Sequence, residues 1–350
     1  MRKRVLIFYS KTGAGHLRCA EAVSEHLLKL NKDLEVLVVD GLANNNFGNE
    51  LNPDEIFRLF STKLLFLYNF LYVSLNNSVG VSLLRFVIKT FWQKAIEDKI
   101  NQFNPDIIIS THPAISPSVV KKINTPFIVV CCDLGKIHQV WFDKKADYLL
   151  VADDIVKSHA LKVLPEKMVL ALGYPLKADF KIPTTPHKIS NTILILGGGA
   201  GVGNLKKQAL SLTKVFPDKK FIIICGFNED LKHQLESKKI PNLEVRGFVH
   251  NLPDLLDQSD MILTKSGPGT VAEAAIMKTP IIITGWVTKQ EDENVSFVTK
   301  SNLGIYCPKI EKLPEAINTI YENYPKYAHG ETELAHGSIH IAKFLLPQIK

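Results

Sequence analysis

The chain has 350 residues, of which 46% are hydrophobic, 22% charged and 9% aromatic; this excludes a disordered or fibrous chain and is enough for two packed cores. Its 5 cysteines, an odd count without regular spacing, exclude a disulfide framework, and adjacent Cys131 and Cys132 do not form a zinc-binding pair. A formal net charge of +7 suits either a soluble protein kept apart by its charge or one drawn to an anionic surface, nucleic acid or acidic lipid.

Met1-Arg2-Lys3-Arg4 ahead of Val5–Tyr9 has the charge of a signal peptide's start, but the apolar stretch is too short and no small-residue cleavage site follows. It reads as a first buried strand. From Gly15 to about Leu30 the spacing predicts a helix with apolar positions at Ala20, Val23, Leu27 and Leu28. Val36–Val39, Ile107–Ile109, Phe127–Val130 and Tyr148–Val151 are continuous apolar runs, as expected of strands covered on both faces of a parallel sheet.

Around Asp179–Asn191 prolines and polar residues break the pattern, which marks a linker. The alternation restarts with Ile193–Leu196, Phe221–Ile224, Leu243–Arg246, Met261–Leu263 and Ile281–Ile283, with a helix over Gly269–Met277. The predicted fold class is α/β: two doubly wound, Rossmann-like domains facing a central cleft, with ligands at the carboxyl ends of the strands. The domains are residues 1–182 and 190–330, and residues 331–350 form a C-terminal helix packing back toward the first domain.

Asn44–Phe103 fits neither pattern. It holds Phe57, Phe60, Phe66, Tyr68, Phe70, Tyr72, Phe86, Phe91 and Trp92 among Arg58, Lys63, Arg85, Lys89 and Lys94. Aromatics beside basic residues suit a membrane interface; a pair of helices packed on the first domain is the other reading. No segment reaches the roughly 20 apolar residues of a spanning helix, so a membrane would be met at its surface.

Four motifs carry chemistry. Ser10-Lys-Thr-Gly13-Ala14-Gly15-His16 lies between a strand and a helix. Its glycines allow close backbone approach, and His16 is a natural general base near neutral pH. It is neither a Rossmann fingerprint nor a P-loop. Gly197-Gly198-Gly199-Ala200-Gly201-Val202-Gly203 follows a strand and offers N–H groups to a phosphate. Lys265-Ser266-Gly267-Pro268-Gly269-Thr270 opens a helix whose N-terminus attracts a diphosphate, and Glu273 stands where ribose hydroxyls can bond a carboxylate. Gln290-Glu291-Asp292-Glu293-Asn294 has paired donors and acceptors for sugar hydroxyls, or is simply a solvated loop.

In this order, together with Asn104-Pro-Asp through His112-Pro113 and Asp133-Leu through His138 to Trp141-Phe142, these stretches resemble the GT-B lipid glycosyltransferases. The nearest likeness is to monogalactosyldiacylglycerol synthase and the bacterial diacylglycerol glucosyltransferases, of the family 28 type. The resemblance implies inverting transfer of a hexose from UDP-glucose or UDP-galactose to diacylglycerol, the first domain taking the lipid and the second the UDP-sugar. It implies His16 as the catalytic base, with Asp133 a second catalytic residue on the acceptor side of the cleft. Gly198, Gly199, Ser266 and Gly267 would hold the diphosphate, Glu273 the ribose, Phe248 and Val249 the uracil, and Gln290 and Glu291 the donor sugar, with Thr270 also in the donor site. Gly13, Gly15, His112 and His138 fall on the acceptor side. Alternatives are transfer of N-acetylglucosamine to another lipid, as by the lipid II-forming enzyme, or a UDP-sugar 2-epimerase of the same fold. No Asp-x-Asp stands near a strand end, so neither a metal nor a cofactor is expected, the UDP-sugar being a co-substrate. The expected partners are these substrates and an anionic membrane, not nucleic acid, and the expected place is cytoplasmic, peripheral on the inner face of the cell membrane. Asp133-Leu-Gly-Lys-Ile-His138 and Gly285-Trp-Val-Thr-Lys-Gln290 depart from the family's commoner forms, where acceptor and sugar would be selected.

Overall fold

The computed structural model describes residues 2–11, 14–43, 59, 64–120, 124–180, 182–184, 189–330 and 334–349. The chain forms two compact units: Met1–Ala178 with Thr288–Gln290 and Glu333–Lys350, and Asp179–Val287 with Glu291–Thr332.

In the first unit β1 (Arg4–Tyr9) is followed by helix α1 (Ala14–Leu30) and β2 (Glu35–Asp40). Two further helices follow, α2 (Leu65–Ser74) and α3 (Ser78–Phe103), then β3 (Ile107–Ser110), β4 (Phe127–Val130), β5 (Tyr148–Val151) and β6 (Val169–Ala171). The six strands pair in parallel in the order β2-β1-β3-β4-β5-β6. Alternation along β1 serves two cores at once. Val5 and Ile7 pack with Ala20, Val23 and Leu27 of α1 and with Ile341, Ala342 and Leu345 of the helix Gly337–Leu345. Leu6 and Phe8 face Trp92 and Ile96 of α3 and Trp141.

Two sequence expectations need correction here. Leu28, one step round α1 from the buried Leu27, is 38% exposed. Val36–Val39 is not covered on both faces: β2 is an edge strand in which Leu37 is exposed and Val36, Val38 and Val39 are only partly buried. The three-residue edge strand β6 escaped the pattern for lack of length.

Asn77 separates α2 from α3. Its Oδ1 accepts from Gly80 N–H at 3.0 Å and its Nδ2 donates to Ser74 O at 2.7 Å. A Cβ on Gly80 would come within 2.5 Å of the Leu75 backbone, so the corner requires glycine. The two helices are bent by 119°, and among the described residues no single helix is long and apolar enough to cross a membrane. The aromatics of this segment divide. Trp92 and Phe91 pack into the core, whereas Phe66, Phe70 and Phe86 are 87%, 59% and 67% exposed. Arg85 is turned inward, donating to Phe142 O at 3.1 Å beside Asp143. Phe57, Arg58, Phe60 and Lys63 lie outside the described residues.

In the second unit β7 (Thr192–Leu196), β8 (Lys220–Ile224), β9 (Leu243–Arg246), β10 (Met261–Lys265), β11 (Ile281–Gly285) and β12 (Gly304–Tyr306) form a parallel sheet in the order β12-β11-β10-β7-β8-β9. One face packs Ile193, Ile195, Phe221, Ile223 and Leu263 against Leu205, Ala209 and Leu212 of the helix Leu205–Val215. In each sheet the strand order reverses once beside the first strand, between β1 and β3 and between β7 and β10. Loops that leave such a reversal diverge and open a crevice.

Candidate active site

In the first unit the reversal brings the loop after β1 beside the loop after β3. His16, in the first turn of α1, has Nδ1 2.6 Å from Thr111 O, and Thr111 Oγ1 donates back to His16 O at 2.9 Å. A carbonyl only accepts, so Nδ1 carries the hydrogen and Nε2 is left as the basic nitrogen. His112 stands edge-on to His16 at 4.6 Å between ring centroids, and Trp141 lies 6.1 Å away. Loss of water lowers the His16 pKa, while the nearby Asp133 charge and the Thr111 bond raise it in part. The buried His112 is held well below the ordinary histidine value by burial and by its neighbour His16.

Asp133 is buried. It accepts from Trp141 Nε1 at 2.8 Å and from Gln290 Nε2 at 3.2 Å, and Gln290 Oε1 accepts from Tyr68 OH at 3.3 Å. Gln290, read from sequence as a sugar contact, therefore stands beside the catalytic candidates of the first unit. His138 uses both ring nitrogens on backbone. Nδ1 accepts from Val140 N–H at 3.1 Å, and Nε2 donates to Tyr72 O at 3.1 Å. Burial pushes its pKa down to about 4. His138 thus ties α2 to this unit and keeps neither nitrogen for a ligand in this geometry. Gly15 has open space where a Cβ would point, and Gly13 lies outside the described residues.

In the second unit the reversal brings the glycine loop after β7 beside the turn after β10. Gly198 and Gly199 lie in a tight turn, with Gly201 N–H donating to Gly198 O at 3.1 Å and Phe227 N–H to Gly199 O at 2.9 Å. Ser266 is fully buried. Its hydroxyl donates to Glu291 O at 2.8 Å, and its N–H to Gly285 O at 2.9 Å. Gly267 N–H donates to Lys265 O at 2.9 Å. The Ser266 and Gly267 donors are therefore occupied, and helix geometry leaves the N–H groups of Gly269 and Thr270 pointing outward from the helix Pro268–Ile276. Glu273 is buried in the second turn of that helix. Glu291, read as a sugar contact, is ion-paired with Lys265 and accepts from Val287 N–H at 3.1 Å. Phe248 stacks on the exposed Phe227 at 4.3 Å between centroids and 11° between planes, with half-buried Val249 next to it. Sequence reading missed Phe227, whose only signal was an exposed aromatic after a strand. It missed also the Thr111 carbonyl, which no side-chain pattern reports. Among the described residues no three of His, Cys, Asp and Glu converge as a metal-holding group.

Two parallel six-stranded sheets, each with one order reversal, are the arrangement of the GT-B fold. The glycotransferase of kitacinnamycin, known from a crystal structure, shares this fold, with a TM-score of 0.68, 13% identity and full coverage of both chains. Residues 16–176 match the monogalactosyldiacylglycerol (MGDG) synthase family, and residues 192–343 match the glycosyltransferase family 28 C-terminal domain. The monogalactosyldiacylglycerol synthase 2, chloroplastic, of Arabidopsis thaliana is 30% identical over 331 residues, 87% of this chain and 70% of that protein. A probable monogalactosyldiacylglycerol synthase 3, chloroplastic, of Oryza sativa subsp. japonica is 30% identical over 87% of this chain, and the match spans 65% of its length. The chain belongs to the monogalactosyldiacylglycerol synthase family of glycosyltransferases.

Proposed function

We propose that this protein transfers a hexose from a UDP-sugar to diacylglycerol with inversion, at a membrane surface and without a metal. The observation that carries the proposal is His16, whose tautomer is set by Thr111 O so that Nε2 can take a proton. Beside it the buried Asp133 charge favours the imidazolium that forms as the acceptor oxygen attacks the anomeric carbon. The second unit supplies the leaving-group side: Gly198, Gly199, Gly269 and Thr270 N–H groups for the diphosphate, the Phe227–Phe248 pair and Val249 for uracil, and Glu273 for ribose. The names of the curated relatives favour galactose over glucose as the sugar. The membrane half rests on Phe66, Phe70 and Phe86, exposed on two helices that also carry Lys89 and Lys94. An anionic leaflet fits the net charge of +7.

The test is incubation of the chain with diacylglycerol vesicles and labelled UDP-galactose or UDP-glucose, each with and without a chelator. Glycolipid forms in both chelator arms, and more from UDP-galactose. His16→Ala lowers the rate by about 100-fold or more, the ordinary contribution of a general base. Glycolipid from neither donor would refute the assignment.

A further inference from the structure

At the reversal of the second sheet one side chain lies across both loops. Lys265 ends β10. Its Cε would stand 3.4 Å from a Cβ on Gly198, and its Nζ 3.1 Å from a Cβ on Gly267. One lysine thus runs past glycines of two separate loops. Nζ is ion-paired with Glu291, and the two side chains are only 22% and 12% exposed. Glu291 is fixed in turn. Its second carboxylate oxygen accepts from Val287 N–H, its backbone carbonyl from Ser266 Oγ–H, and Asn294 Nδ2 donates to Ser266 O at 2.6 Å.

The neighbouring backbone falls short of what a diphosphate needs. The N–H groups of Ser266 and Gly267 are occupied, and Pro268 has none. The N–H groups that remain, those of Gly198 and Gly199 on one loop and of Gly269 and Thr270 on the other, carry no full charge, and with the partial charge of a helix end, roughly half an elementary charge, they face a ligand with several negative charges. A full positive charge that reaches both loops closes the gap, and Lys265 is placed to supply it.

We infer that Lys265 is the cation that receives the donor's diphosphate, and that Glu291 is the resting partner from which the diphosphate draws it. The inference rests on the UDP-sugar reading above. In the transfer, the acceptor oxygen forms its bond to the anomeric carbon. The bond from that carbon to the β-phosphate oxygen breaks with its electron pair on the phosphate, and the hydroxyl proton goes to His16 Nε2. Lys265 keeps its protons and donates a hydrogen bond to a diphosphate oxygen as the charge grows there. Glu291 keeps the Val287 N–H and releases the lysine.

The test is calorimetric titration of UDP and of uridine into the full chain, with chelator present, for wild type, Lys265→Met, Lys265→Arg and Glu291→Gln. Lys265→Met weakens UDP by about 10- to 100-fold, the loss of one charge-assisted phosphate contact, and leaves uridine within about twofold. Lys265→Arg keeps most of the UDP affinity. Glu291→Gln tightens UDP, because the competing carboxylate charge is gone. Unchanged UDP affinity in Lys265→Met overturns the inference, as does a loss of UDP and uridine in equal proportion, which makes the lysine structural. Weaker UDP in Glu291→Gln overturns the competition. Wild type that binds neither compound refutes the donor reading itself, whereas wild-type binding with no effect of Lys265→Met refutes only this step.

Discussion

Burial and Asp133 make opposite demands on His16. Burial removes water and favours the neutral ring, so the proposed base is unprotonated at neutral pH. Asp133 favours the charged ring, so the proton is held once taken. The net effect is a lowered pKa, and the sign of a pH profile follows. The acid limb of kcat/KM falls below about pH 6.5, the ordinary histidine value. Asp133→Asn keeps an oxygen for Trp141 Nε1–H but removes the charge that raises the His16 pKa. The limb therefore moves to lower pH. The plateau drops by about 10- to 100-fold, because the imidazolium of the transition state loses its neighbouring charge. A pH series of initial rates for wild type and Asp133→Asn measures both. A limb that moves to higher pH would show that Asp133 does not act on His16 through its charge.

Elements, rather than single residues, decide which aromatics meet solvent. Helix α3 is apolar at so many positions that its phase is hidden in the sequence. Trp92, Ile96 and Phe103 fall on the buried side, and Val79, Leu83 and Phe86 on the exposed side. Helix α2 has no buried residue at all, with Phe66 and Phe70 outward and His138 tied to its Tyr72 carbonyl. The exposed face thus spans the Asn77 corner and belongs to both helices. Full insertion of one phenylalanine into lipid contributes about 1.5–3 kcal/mol. Replacing Phe66, Phe70 and Phe86 by serine together therefore lowers partition into anionic vesicles by more than about 100-fold, measured by flotation. Activity on short-chain diacylglycerol dispersed in detergent stays within about twofold, because none of the three touches the His16 cluster. Unchanged flotation would remove these residues from the membrane contact.

For the molecule as a whole, much of the sheet framework was legible because central parallel strands are unbroken apolar runs: Val5–Phe8, Ile107–Ile109 and Ile193–Leu196 announce themselves. The short edge strands β6 and β12 were not, since three residues carry no period. The site motifs were legible as glycine loops at strand ends. What each polar atom does was not. Ser266 and His138 look like ligand contacts in sequence, yet their polar atoms are taken by backbone groups whose positions depend on the fold. Lys265 stood in a recognised motif without a role, because its path across Gly198 and Gly267 exists only once β7 and β10 are neighbours. That adjacency gives a prediction at the same scale. Each sheet reverses its order once, and the proposed function gives each reversal a different ligand. UDP bound in chelator then slows amide hydrogen exchange in residues 197–203 and 267–273, where the two loops of the second reversal meet. Exchange in the loops after β1 and β3 stays as in the free chain, because the lipid side remains empty. Mass-spectrometric exchange resolved to short peptides reads both. Protection confined to the first unit would assign the nucleotide to the wrong sheet, and with it the roles of Gly198, Thr270 and Glu273 would fall.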